Sequence, residues 1–213
     1  MKLRKLCFVL AVILLLPLCA CDAPVKNPYE DDIIFCLDAG HGGNDSGAVL
    51  DGRLEKDDNL RMALAVGAKL EASGATVIYT RSDDTFVELR DRAAYANDQG
   101  ASVFVSFHRN AGGGQGGEVW IDKSPDQWEK SLGARLQKAM VQVGFTNRGV
   151  KKGTAGSKSQ NYTVIGRTEM PACLMELGFI DNPDDNAILD TYHEELASAI
   201  AQALLKETGL ATE

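Results

Sequence analysis

Two of the three histidines in this 213-residue chain close apolar runs, at places where an α/β sheet gathers its functional groups. His41 stands in the glycine loop Asp38-Ala39-Gly40-His41-Gly42-Gly43, and His108 follows Ser102-Val103-Phe104-Val105-Ser106-Phe107. In open α/β sheets the ligand crevice lies beyond the carboxyl ends of the strands, so both imidazoles are expected to project into one crevice. Imidazoles that converge with carboxylates hold a transition metal. A hydrolytic zinc site needs three nitrogen or oxygen ligands and a fourth position left open for water. Glu55, in Arg53-Leu54-Glu55-Lys56-Asp57-Asp58, can fold back over the strand ends as the third ligand. Asp38, Asp45, Asp51 and Asp57 compete with it on spacing alone, and an acid in so charged a stretch can equally be a solvated face.

Glu176 is the more telling carboxylate, because it interrupts the apolar run Ala172-Cys173-Leu174-Met175-Glu176-Leu177-Gly178-Phe179-Ile180. A carboxylate buried there must be paired, protonated or turned toward a metal. As a general base it would have its proton affinity raised by low polarity and lowered by the cation. As a core residue it would pair with Arg167 or Arg81. The third histidine, His193, falls inside a helical pattern and is expected to be structural or exposed.

The elements that must position these residues alternate along the chain. Strands are expected near 33–38, 75–80, 102–107, 117–122, 162–165 and 172–177. Helical spacing groups Leu60, Leu64, Gly67 and Leu70 on one face, with Gly74 placed to stop that helix. Leu89, Ala93 and Ala96 form a second stripe, and further helices fit 125–143 and 184–207. Gly144 to Ser159 reads as an irregular segment that could rim a cleft. Strands alternating with helices give an α/β fold: a single domain with a mixed, mostly parallel twisted sheet of about six strands flanked by helices.

Composition, with 45% hydrophobic and 24% charged residues, is that of one globular domain. Met1-Lys-Leu-Arg-Lys5 followed by apolar Leu6–Leu18 reads as an export signal, too short to span a bilayer comfortably. It ends Leu18-Cys19-Ala20-Cys21-Asp22, which resembles a bacterial lipobox and marks Cys21 for lipidation. Residues 1–20 are then a lipoprotein signal peptide, and 21–32 a lipidated cysteine and tether with an end-to-end distance of about 20 Å. A domain at 33–211 follows. Losing Lys2, Arg4 and Lys5 takes the formal charge from -8 to -11. So acidic a chain argues against nucleic acid and anionic headgroups as partners. Cys36 and Cys173 lie in strand-like runs and read as buried free thiols, although a bridge is possible in an exported protein.

Together these segments resemble the zinc-dependent N-acetylmuramoyl-L-alanine amidases of the amidase 3 family, over nearly all of residues 33–208. The resemblance rests on Leu37 to Gly43, on Thr80-Arg81-Ser82-Asp83-Asp84 leading to Leu89-Arg92-Ala93-Ala96-Asn97, on Ser106-Phe107-His108-Arg109-Asn110-Ala111, on Pro171 to Phe179, and on Asn182-Pro183. It implies Zn2+ held by His41, Glu55 and His108, which selects Glu55 among the acids. It also implies Glu176 as the catalytic base and Asn110 and Arg109 near substrate.

The implied reaction is hydrolysis of the amide between N-acetylmuramic acid and L-alanine in peptidoglycan. The alternatives are a zinc peptidase acting on the stem peptide and a lipoprotein that binds muropeptides without cutting them. Arg109 departs from the small or neutral residue common in the family, and Gly166 stands where a basic residue is common. The short interval between His108 and Glu176 implies an uncovered site. A monomer is expected, exported and lipid-anchored on the outer face of the cytoplasmic membrane or on its periplasmic side.

Overall fold

The computed structural model describes residues 27–30 and 32–211. The expected signal peptide, and Cys21 with most of the tether, lie outside the described residues. The chain runs β1 (Ile34–Ala39), β2 (Val49–Leu50), β3 (Arg53–Leu54), α1 (Glu55–Ala72), β4 (Thr76–Tyr79), α2 (Leu89–Asp98), β5 (Val103–Asn110) and β6 (Gly117–Ile121). It continues α3 (Gln127–Gln142), β7 (Asn147–Lys152), α4 (Thr163–Gly166), β8 (Ala172–Phe179), α5 (Pro183–Thr191) and α6 (His193–Glu207).

Six strands form one sheet in the order β4-β1-β5-β8-β6-β7. The first four run parallel, and β6 pairs antiparallel with β8. Strand β7 pairs parallel with β6, so the last two strands run against the rest. Central strands buried on both faces must be apolar throughout. That is why 103–107 and 172–175 show no polar alternation apart from Ser106. Helices α1, α3 and α6 cover one face, where Phe35, Leu37, Val105, Met175, Leu136 and Leu204 pack together. Short α2 and α4 cover the other, over Cys36, Phe104, Trp120 and Leu174.

The mixed, mostly parallel sheet agrees with the sequence expectation, but one strand is elsewhere. Residues 162–165, expected as a strand, enter the single-turn helix α4, and the sixth strand is β7 inside the segment read as irregular. Asn147-Arg-Gly-Val-Lys-Lys152 has one apolar side chain because it forms a half-exposed edge, where lysines also discourage further pairing. The helix expected over 184–207 breaks at Tyr192 into α5 and α6. Of the expected α1 face Gly67 and Leu70 are buried and Leu60 is half-buried, joined by Met62, Ala63 and Val66, whereas Leu64 and, in α2, Leu89 face solvent. Cys36 and Cys173 are both free and buried, on strands separated by β5 and in the clusters of opposite faces. Two inter-strand steps of about 4.8 Å each exceed the reach of a disulfide.

Candidate metal centre

Three strands and one helix end converge at the site. His41 is two residues past β1, His108 lies within β5, Glu176 lies within β8, and Glu55 opens α1. Strand β5 continues to Asn110, so His108 is a strand residue rather than the residue after one. It pairs in register with Glu176, which places both side chains on the same face of the sheet.

Glu55 is delivered by a tight hairpin. Asp51 and Gly52 both adopt positive φ (48° and 85°), the conformation a two-residue turn between β2 and β3 requires. The chain then enters α1 with no side-chain cap. Its first N–H groups instead donate to loop carbonyls, Glu55 N to Ala48 O (3.0 Å) and Lys56 N to Ser46 O (3.1 Å). The glycine loop and the start of α1 are therefore one hydrogen-bonded unit.

His41 itself has φ 62°, an uncommon conformation for a residue with a side chain. Buried Arg92 holds that backbone in place. Its Nη2 donates to His41 O (2.7 Å), while Nη1 donates to Ala39 O (2.6 Å) and to Asp38 Oδ1 (2.8 Å). Asp38 also accepts from Thr80 Oγ1 (2.6 Å) and Ser106 Oγ (2.5 Å). Burial pushes its carboxyl up, but Arg92 and the two hydroxyls outweigh this and hold it below the usual range. Asp38 is thus an internal counter-ion rather than a ligand.

The ligand atoms converge on Glu55. Its Oε1 lies 3.1 Å from His41 Nε2 and 2.9 Å from His108 Nδ1, and one donor atom from each residue fits within 4.8 Å of the others. Asp45 Oδ2 engages His41 Nδ1 at 2.8 Å, which fixes the ring and leaves Nε2 toward the cluster. Glu55 is held by Ala48 N to Oε2 (2.8 Å) and Arg109 N to Oε1 (3.0 Å). Burial works against ionisation of Glu55, yet the two imidazoles hold it far below the ordinary carboxylate range. His41 is likewise opposed by burial, but Glu55 and Asp45 raise it to about 9.

A field that draws protons this strongly to the ring also favours a divalent cation. Two glycines leave the space: a Cβ at Gly40 would meet His108 Cε1 at 2.3 Å, and one at Gly47 would meet Glu55 Oε2 at 2.5 Å. Two imidazoles and a carboxylate are an established donor set for catalytic zinc, and the residues fit that ion. Side-chain exposures of 24% for His41 and 16% for His108 leave the cluster open to solvent.

Glu176 makes no hydrogen bond or ion pair with Arg81 or Arg167. Arg81 is committed to the carbonyls of Ala39, Gly40, Lys56 and Asp83. Glu176 Oε2 is enclosed without a partner among the described residues. Burial pushes its carboxyl up to about 7, His108 opposes this, and Glu55 and Glu118 add to it. Such a group can accept and release a proton near neutrality.

Arg109 is not at the surface. Its fully buried guanidinium ties β5 to α1 through Asp58 (2.5 Å), and donates to Phe179 O (3.1 Å) and Asn186 Oδ1 (2.6 Å). The expected substrate contact is therefore corrected to an internal clamp, because an arginine this deep has no face left for a ligand. Asn110 is half-buried and directs Nδ2 to Glu118 Oε1 (3.0 Å). Of the competing acids, Asp51 is in the hairpin turn and Asp57 is exposed. His193 is half-buried at the start of α6 and is not part of the cluster.

The sequence reading missed Glu118, and named Arg92 within the family motif without assigning it a role. Glu118 is a buried acid within Gly117-Glu-Val-Trp-Ile121, the same signal that exposed Glu176.

Comparison with known proteins agrees with this geometry. The model of the amidase 3 family, described as N-acetylmuramoyl-L-alanine amidase, matches residues 35–206. YqiI of Bacillus subtilis (strain 168) is 36% identical over 188 residues, covering 85% of this chain and 87% of that protein. The N-acetylmuramoyl-L-alanine amidase LytC of the same strain is 38% identical over 183 residues, covering 83% of this chain but 35% of LytC. The crystal structure of an N-acetylmuramoyl-L-alanine amidase from Clostridium difficile 630 superposes with a TM-score of 0.75 at 34% identity, covering 82% of this chain and 95% of that one.

Proposed function

The chain belongs to the amidase 3 family of N-acetylmuramoyl-L-alanine amidases, and from that premise we propose how its own residues carry the reaction. The enzyme hydrolyses the amide between N-acetylmuramic acid and L-alanine, releasing stem peptide from peptidoglycan glycan. The observation that carries this reading is the convergence of His41, Glu55 and His108, in register with a carboxylate whose inner oxygen has no partner. Zinc, when bound, supplies the Lewis acid that polarises the scissile carbonyl and acidifies water.

His41, Glu55 and His108 hold the ion. Asp45 fixes the His41 tautomer, and Arg92 keeps the His41 backbone in its left-handed turn. Glu176 takes a proton from the attacking water and returns it to the leaving amine nitrogen of L-alanine. Its burial raises its proton affinity and so favours taking up that proton.

Lipidation at Cys21 and retention at a membrane surface belong to the same proposal, supported by the basic, apolar and Leu18-Cys19-Ala20-Cys21 segments in succession. The activity test is mass spectrometry of purified peptidoglycan after digestion, with and without a chelator. The expected result is chelator-sensitive release of intact stem peptides that begin at L-alanine. Peptides shortened from within the stem would establish a peptidase instead.

A further inference from the structure

Beyond Glu176 the row of site residues continues across two more strands. Glu118 on β6 is the register partner of Glu176, and Arg148 on β7 reaches back to it. The Glu118 carboxylate is 3% exposed and fully engaged. Its Oε1 accepts from Asn110 Nδ2 (3.0 Å) and Trp120 Nε1 (3.1 Å), and its Oε2 from Arg148 Nε (2.8 Å).

Arg148 is held differently. Only its Nε engages Glu118, whereas a guanidinium that merely neutralises a carboxylate commonly does so with two N–H groups. The guanidinium carbon lies 4.8 Å from the centroid of the Phe179 ring, which fixes its plane. Both Nη atoms donate to no group among the described residues, and the side chain is 35% exposed. An arginine aimed by a buried carboxylate and an aromatic face, with its fork left free one strand beyond the register partner of Glu176, is built to receive a planar anion.

We propose that Arg148 is a specificity-determining residue that binds a free carboxylate on the stem-peptide residue following L-alanine. This rests on the amidase reading and adds the chemistry of the leaving half of the substrate. The spacing agrees. Strand β7 lies two steps from β8, about 10 Å. Two extended residues span about 7 Å from the scissile bond, and a charge-assisted hydrogen bond adds about 3 Å. The second stem residue is a glutamyl unit continued through its side chain, so its α-carboxyl is either free or amidated. Arg148 selects the free form.

The test measures binding of N-acetylmuramoyl-L-alanyl-D-glutamate and of its α-amide by calorimetry, with full chains carrying Glu176→Gln to prevent turnover. The expected result is about tenfold tighter binding of the carboxylate, the difference a fork of charged hydrogen bonds supports. Adding Arg148→Gln should erase that preference while leaving the amide's affinity within about twofold, since the amide gains little from the fork. Arg148→Lys keeps a cation beside Glu118 but lacks the planar fork, so it should lose most of the preference while folding normally. Equal binding of the two ligands by the parent chain, or a preference that survives both substitutions, overturns the assignment. Cleavage by the chain with Glu176 intact is scored separately. A binding preference without release of either peptide counts against the amidase reading and leaves Arg148 as a carboxylate-binding residue.

Discussion

The two halves of the site are built on opposite terms. On the β1 side almost every polar atom is spoken for: Arg92, Arg81, Asp38, Asp45 and the loop carbonyls hold His41 and Glu55 from several directions. On the β8 side Glu176 keeps an enclosed oxygen with no partner, between a histidine and a second acid in register. The first arrangement suits ligands that must not move when a cation binds. The second suits a group whose work is to change protonation, because every fixed hydrogen-bond donor would hold it as a carboxylate. Rigidity and incomplete satisfaction are adjacent here, and they serve different steps.

The sharpest way to break the contrast is to remove a ligand. His108→Ala should abolish zinc retention and bring turnover to the limit of detection, read by metal analysis and peptide release on the same sample. Next in size is the clamp under the ligand helix. Arg109→Ala leaves a cavity and unpaired acceptors at Phe179 and Asn186, while Arg53 still pairs with Asp58 (2.7 Å), and should lower unfolding free energy by about 2–4 kcal/mol in urea denaturation. If Arg109 served substrate instead, stability would hardly change.

Asp45→Ala removes the partner of His41 Nδ1 and should weaken zinc affinity by about 10–100-fold in a chelator competition, with the fold intact. The smallest effect lies outside the site. Burial, despite the opposing Asp126 N–H bond, raises the carboxyl of Glu129 to about 7. The folded state therefore favours its protonated form. That contribution is full below the unfolded value near 4.5 and is lost as pH rises through about 7. Glu129→Gln should match the parent at pH 4 and exceed it at pH 8 by less than about 1 kcal/mol, because the side chain is partly exposed.

Much of this was legible before any coordinates. His41, His108 and Glu176 announced themselves because glycine loops and polar residues inside apolar runs are costly unless they serve a site. Glu55 did not, since its neighbours Asp57 and Asp58 look the same in sequence. What distinguishes it is the Asp51-Gly52 hairpin that aims it, and that dipeptide is itself a readable turn signal. Strand β7 was invisible because an edge strand with one apolar residue has no period to detect, whereas Tyr162-Thr-Val-Ile165 has strand-like residues in a helical turn. Arg109 misled because a charge next to a ligand reads as a substrate contact. Only the packing of Asp58, Phe179 and Asn186 around it reveals a clamp.

The separation of the two halves is tested most directly by Glu176→Gln, with zinc content and release of stem peptide measured on one preparation. Zinc should remain at the parent's stoichiometry while turnover falls by about 10²–10⁴-fold, the range for loss of a general base. Unchanged turnover, or loss of zinc together with turnover, would contradict the account.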